Sequence, residues 1–395
     1  MNIGLQKGVG LLTLQSRYSP RWLERRLALG VLGLLAILTA AAPTRADVPA
    51  NRRAVLAHGI NMTRWFSAPY VQSPAHYSGY LTPAVLSQLK SAGFSYMRIV
   101  LAPEALQGND GSLNQAVTRS LIEEVAAVEY TGLGVALVPM RHKWRLESNP
   151  ADQELLIKFW QQLAPMLANL SRDLTFPEIV NEPTFPDSGG WDELQLKVYR
   201  VIRAQLPNAT IIATGNHWSD VANLPKVRLL PDKNIVYTFH YYEPTFLTST
   251  NSKDVPPEDV RMLGALVFPV NDQGRCATAG QMAQTTDTQG KLKWYCKSAW
   301  TVAKVKSQIH AVAEWAKANG VVAADGEFGI LNDRPVQTRL AYMRAVREAC
   351  EADHLGWSLW GYDDGFGFGI QPDKGGGTLD PEILNALGLP ISMTP

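Results

Sequence analysis

Residues 152–206 read DQELLIKFWQQLAPMLANLSRDLTFPEIVNEPTFPDSGGWDELQLKVYRVIRAQL. Three textures follow one another here. DQELLIKFWQQLAPMLANL (152–170) places apolar residues at helical spacing and reads as an amphipathic helix. PEIVNE (177–182) is a short apolar strand that stops on Asn181, Glu182 and Pro183. WDELQLKVYRVIRAQL (191–206) is helical again. A strand set between two such helices is the repeating unit of an α/β fold with a parallel sheet.

The alternation continues in both directions. Upstream lie the strand-like runs VLAHGIN (55–61), YMRIVL (96–101) and GVALVPM (134–140), separated by TPAVLSQLKSAG (82–93) and NQAVTRSLIEEVAAVEYTG (114–132), two helices that stop at Gly. Downstream come TIIATG (210–215), NIVYTFHYY (234–242), VVAADGEFG (321–329) and LGWSLWGY (355–362), with helices over 301–320, 334–353 and 380–389. The eight strands are continuous apolar runs, as parallel strands covered on both faces should be. This count predicts a closed (β/α)8 barrel of the TIM type, a single α/β domain over residues 47–395. Such a barrel needs roughly 250 residues, well within the 395 present. No GxGxxG or P-loop follows a strand, which excludes the common nucleotide-binding sheets.

Residues 243–298 are too many for a simple β-to-α loop and predict an ordered insertion after strand six, over the barrel mouth. Cys276 and Cys296 flank its Gly/Thr/Gln-rich part, and a disulfide between them would pin it. Cys350 reads as a buried free thiol on a helix. The two spaced cysteines without a nearby His pair make a poor zinc site, and neither metal nor cofactor is expected.

A net charge of +1, with 46% apolar and 18% charged residues, is ordinary globular composition. It carries no charge excess pointing to nucleic acid or a membrane surface. The first 46 residues are a separate object. Arg21, Arg25 and Arg26 precede LALGVLGLLAILTAAAPTRA (27–46), whose apolar core is followed by small residues. This is a signal peptide cleaved near Ala46, predicting a secreted or periplasmic monomer with no lasting membrane association; an uncleaved anchor is the competing reading.

In parallel barrels the chemistry sits at the C-terminal ends of the strands. Those ends carry Asn61 with Trp65 beyond it, Arg98, Met140 with His142, Asn181 and Glu182, Trp218, His240 and Tyr242, Glu327, and Trp360 followed by Asp363 and Asp364. Arg98 lies inside an apolar strand and needs a carboxylate partner, for which Glu327 is a candidate. His240 and Tyr242 are two residues apart and share a strand face. Glu182 and Glu327, from strands four and seven, would face each other across the mouth. Paired carboxylates are what glycoside hydrolysis uses, and flat aromatic faces suit a sugar ring. Asp363-Asp364 before a Gly-rich loop reads as a turn.

The set NEP, GEFG, HYY, Arg98 in YMRIV and Trp360 in WSLWGY resembles glycoside hydrolase family 5, the cellulase-type retaining β-glycosidases, over nearly all of residues 55–365. The resemblance implies Glu182 as general acid/base and Glu327 as nucleophile. It implies that Arg98 and Tyr242 hold Glu327 ionised and oriented, Asn181 meets the sugar 2-hydroxyl, and His240 lies between the acids. Trp360 would stack under the sugar. Asn61, Trp65, Trp218 and His142 are carried as substrate-binding positions. The family's His at the end of strand three falls on Met140, two residues before His142. The substrate this implies is a polysaccharide, foremost a β-1,4-glucan cleaved internally. β-Mannan, xyloglucan and exo-cleaved β-1,3-glucan are the rivals, and a non-catalytic sugar-binding barrel is the alternative of another class.

Overall fold

The strand–helix repeat closes on itself. The computed structural model describes residues 47–67, 73–270, 273–371 and 379–390. Its eight strands are β1 (His58–Phe66), β2 (Tyr96–Leu101), β3 (Gly134–Pro139), β4 (Thr175–Pro177), β5 (Ile211–Thr214), β6 (Ile235–Tyr241), β7 (Val322–Phe328) and β8 (Gly356–Leu359). They form one sheet in the order β4-β3-β2-β1-β8-β7-β6-β5. A parallel bridge between Glu178 and Ile212 joins the two ends. The ring is therefore a (β/α)8 barrel, as the alternation predicts.

Local chemistry starts and stops the helices. Thr82, Asn114, Asn149, Asp187 and Thr301 each cap a helix by accepting a first-turn N–H, and Pro83 and Pro150 occupy first-turn positions where no donor is missed. The helix Val302–Asn319 ends on Gly320 at φ 60°, a left-handed stop that glycine takes without strain. The helices Pro150–Leu167 and Ser188–Gln205 each spend a buried indole N–H on a strand end: Trp160 donates to the Ile179 carbonyl and Trp191 to that of Thr214, both at 2.8 Å.

The interior of the barrel is layered. Tyr96, Ala136, Phe176, Ile212, Val236 and Ala324, one from each of six strands, pack into an apolar floor. Near the other end Val100, Val138, Leu331, Trp360 and Phe368 form a second apolar group, with Met140 and Tyr242 against it. Tyr96, Arg98 and Val100 share one face of β2 by parity, so Arg98 sits between the two layers. The charged centre is thus enclosed above and below by apolar side chains.

Two expectations need correction. The first strand begins at His58 and runs on to Phe66, and Ala50–Val55 is a short helix. Trp65 is consequently a strand residue rather than a mouth residue. The fourth strand starts at Thr175, and its regular ladder is short. Its backbone nevertheless stays paired as far as Asn181: Glu178 N–H donates to Leu137, Ile179 to Ile212 and Asn181 to Pro139, at 2.9, 3.1 and 3.0 Å. The insertion after β6 is present as short helices, including Gln273–Met282 and Thr286–Lys297, and Cys276 and Cys296 are bonded. Its anchoring bonds run to the segment that follows β7. Arg334 donates to the Leu247 carbonyl, Thr338 to that of Leu266 and Tyr342 to that of Glu243.

Cys350 is buried and free. The leader read over residues 1–46 lies outside the described residues. Among those described, no helix is long and apolar enough to cross a membrane.

Candidate active site

One guanidinium organises the centre. All five N–H donors of Arg98 are used. Nε and Nη2 grip both oxygens of Glu178 at 2.7 Å each, Nη2 also reaches the side-chain oxygen Oδ1 of Asn181 at 2.7 Å, and Nη1 serves Asn61 Oδ1 at 2.9 Å and Glu327 Oε1 at 2.5 Å. Arg98, Glu178 and Glu327 are almost fully buried. Enclosing a charge at this depth is tolerable only because every donor is matched. Its two carboxylate neighbours raise the Arg98 value further, so it stays cationic.

Glu327 is held from both oxygens, since the Tyr242 hydroxyl donates to Oε2 at 3.2 Å. Burial pushes the Glu327 carboxyl above its ordinary range, while the charges of His240 and Arg98 pull it back. Burial and the neighbouring Glu327 raise the Tyr242 phenol well above 10, so it remains an O–H donor. His240 Nδ1 stands between the acids, 2.8 Å from Glu182 Oε1 and 3.5 Å from Glu327 Oε2. Its Nε2 is buried without a partner, and a Cβ at Gly326 would meet the ring at 3.4 Å.

One ligand atom each from Glu182, His240 and Glu327 lies within 4.8 Å of the others. That donor set could hold a cation, but Arg98 and Tyr242 already occupy the Glu327 oxygens.

The backbone is bent to make this meeting. Glu182 itself has φ 45°, and His217, Trp218 and Ser219 have φ 54°, 58° and 56°. Left-handed conformation costs about 1–2 kcal/mol per residue away from glycine. The turn is paid for by its bonds. Trp218 N–H donates to the Pro183 carbonyl, His240 N–H to that of Ser219, and the Thr214 hydroxyl to the Ser219 hydroxyl, at 3.0, 2.7 and 2.7 Å. Asn216 clasps the Phe185 N–H and carbonyl, tying the loop that follows Glu182 to β5.

The structure brings together Arg98, Asn181, Glu182, His240, Tyr242 and Glu327, with Trp360 packed in the apolar group that Tyr242 touches. Trp218 stands 58% exposed after β5, and His142 lines a cavity beside Glu182. Two expected sugar contacts are not presented. Asn61 is fully buried and ties strands, its amide donating to Gly326, Ser358 and Leu359. Trp65 is fully buried, its indole N–H on the Tyr77 carbonyl. Asp363 is buried and bonded to the Tyr80 hydroxyl, while Asp364 accepts three backbone N–H groups of its own turn. Glu178 is the residue that the strand-end search passes over. Its signal was an acid within an apolar strand, the counterpart of Arg98 in β2.

The sequence matches the family model described as Cellulase (glycosyl hydrolase family 5) over residues 56–363. The chain belongs to that family. The matched span includes each of the site residues from Asn61 to Trp360. Among relatives, Endoglucanase 3 of Fibrobacter succinogenes is 26% identical over 226 residues, 55% of this chain and 34% of the relative. Endoglucanase C of Acetivibrio thermocellus is 26% identical over 202 residues, 48% of this chain and 58% of the relative. The family 5 chain thus spans only about a third to three fifths of these curated relatives. A solved hyperthermophilic endo-β-1,4-glucanase in complex with substrate superposes with TM-score 0.69, covering 85% of this chain and 98% of its own, at 22% identity. At that identity the likeness speaks for the fold alone.

Proposed function

We propose that this family 5 chain is a retaining β-glycosidase that cleaves β-1,4-linked glucan internally by double displacement. The carrying observation is the approach of Glu182 and Glu327 to within 4.8 Å through their oxygens. Retention needs carboxyl groups about 5–5.5 Å apart, whereas inversion needs room for a water between them.

Glu327 is the nucleophile. Arg98 holds Oε1 and leaves Oε2, lightly held by Tyr242, to attack the anomeric carbon. Glu182, on the opposite wall, gives its proton to the departing oxygen. A covalent glycosyl–enzyme results. Glu182 then takes a proton from water, which attacks the same carbon and releases Glu327. His240 follows the proton traffic on Glu182 through Nδ1. Asn181 has its carbonyl on Arg98, which turns its N–H donors to the sugar side as a contact for the 2-hydroxyl. Trp360 offers the sugar a flat floor. No step calls for a metal or cofactor.

The endoglucanase names of the relatives favour a glucan cleaved internally. The leader expected over residues 1–46 favours action outside the cytoplasm.

Hydrolysis of a panel of soluble β-1,4-glucans, β-1,3-glucans, xyloglucan and mannans tests this reading, with Glu327→Ala beside the wild type. Retention predicts that the first product released from a β-glucan is the β-anomer. The reading fails if no polymer is cleaved, if the α-anomer appears first, or if Glu327→Ala keeps full activity. A preference for mannan or xyloglucan would move the substrate and leave the mechanism standing.

A further inference from the structure

Beside the acid pair lies charge that cleavage of a neutral glucan does not use. A cavity of about 470 Å3 is bordered by Arg141, His142, Arg145, Glu147, Asn181 and Glu182. Its wall includes Glu182 but neither Glu327 nor Trp360. It therefore adjoins Glu182, the proposed proton donor, rather than the proposed nucleophile.

Arg141 and Glu147 face each other across 3.8 Å, each side chain only 24% exposed. That separation is an ion pair without a hydrogen bond. The described residues give the Arg141 guanidinium no other partner, and Glu147 Oε2 is buried without a hydrogen-bond partner. Arg145 spends one nitrogen on long bonds to the His142 and Lys143 carbonyls, at 3.3 and 3.5 Å. The cavity sets these two guanidinium groups beside two carboxylates, Glu147 and the acid Glu182, of which only Glu147 pairs with Arg141, and most of the guanidinium donors are unspent. Sugar hydroxyls can use single donors, but a planar fork in a half-covered wall matches a carboxylate, which it binds through two parallel bonds.

We propose that this cavity is a subsite for a carboxylate-bearing sugar residue, a hexuronic acid or a glucose oxidised at C6, next to the bond being cleaved. Arg141 is its principal contact and Arg145 the second. The inference rests on the glycosidase reading and narrows its substrate to acidic β-glucans. In the free protein Glu147 keeps Arg141 aimed into the cavity; the sugar carboxylate takes the shorter contact when it arrives.

The test compares cellotetraose with the same tetraose carrying C6 carboxylates on its two reducing-end residues. In the wild type the ratio of kcat/KM, acidic over neutral, is expected to be about ten, equivalent to about 1.4 kcal/mol. It should fall as salt is raised, because the pair is partly exposed. Arg141→Gln should bring the ratio close to one, and Arg141→Lys should restore part of it. Thermal unfolding of each variant separates a lost contact from a lost fold. A wild-type ratio of one or below, or a ratio unchanged in Arg141→Gln, overturns the proposal. If neither tetraose is cleaved, the glycosidase reading has failed. Calorimetric binding of both sugars to Glu327→Gln then decides the subsite alone: about ten-fold tighter acidic binding that Arg141→Gln abolishes supports it, and equal binding overturns it.

Discussion

Arg98 gives its fork to Glu178 and only a remaining edge to Glu327. Both bonds to Glu178 are 2.7 Å, with the carboxylate met through two parallel N–H groups, and Glu327 receives one N–H at 2.5 Å. Glu178 therefore neutralises and positions the arginine, which leaves Glu327 with one oxygen uncommitted to it. A nucleophile gripped bidentately by arginine would have no such free oxygen.

Removing Glu178 should be more damaging to stability than removing an average buried residue. Glu178→Ala leaves a buried guanidinium short of its main partner, a loss of about 3–5 kcal/mol. The urea midpoint at unchanged slope measures it. A loss below about 1 kcal/mol would mean that Glu327 alone suffices for Arg98.

Glu182 should show the signature of a proton donor. Glu182→Ala is expected to slow cleavage of a natural glucan by about 10²–10⁴-fold. With a dinitrophenyl glycoside, whose leaving group departs without protonation, the first chemical step should lose far less. Burst kinetics with the two leaving groups make the comparison. Equal losses on both would remove Glu182 from the acid role.

Asp325 gives a pH dependence of stability. It is fully buried on β7, one oxygen accepting the Glu327 N–H and the other without a partner. Burial, helped by the Glu327 charge, pushes its carboxyl well above the ordinary range. Such an acid is still protonated in the fold at a pH where the unfolded chain has released its proton. Stability from this group is thus present below the unfolded value of about 3.9 and lost as pH rises towards the folded one. Asp325→Asn keeps the shape and removes the ionisation. Its stability relative to wild type should climb as pH rises above about 4, by up to about 1.4 kcal/mol per unit, for as long as Asp325 stays protonated in the fold. Denaturant midpoints across that range provide the measurement, and a flat difference contradicts it.

Opening Cys276–Cys296 should loosen the insertion and leave the barrel folded. The bond spans 20 residues, for which chain entropy alone predicts about 3 kcal/mol. Because the insertion is tied to the segment after β7 by side-chain bonds of Arg334, Thr338 and Tyr342, proteolysis of Cys296→Ser should start within 243–298 while the barrel remains intact. Cleavage beginning elsewhere would show that the insertion supports the whole fold.

Much of this protein was legible in its residues alone. Eight strand textures recur, set apart mostly by helical ones, and most strands stop where a polar residue begins; these are local properties, set by periodicity and by turn chemistry within a few residues. The pairing of Glu182 with Glu327 could be argued because both close strands of one barrel. Other features were decided only by the closed barrel. Glu178 and Arg98 are 80 residues apart, and their meeting depends on the stagger of β2 against β4, which no local pattern records. Asn61 and Trp65 stand near a strand end in the sequence, but β1 extends to Phe66 and buries both. A buried charge takes whichever partner the packed strands bring within reach, and for Arg98 that partner was Glu178 first and Glu327 second.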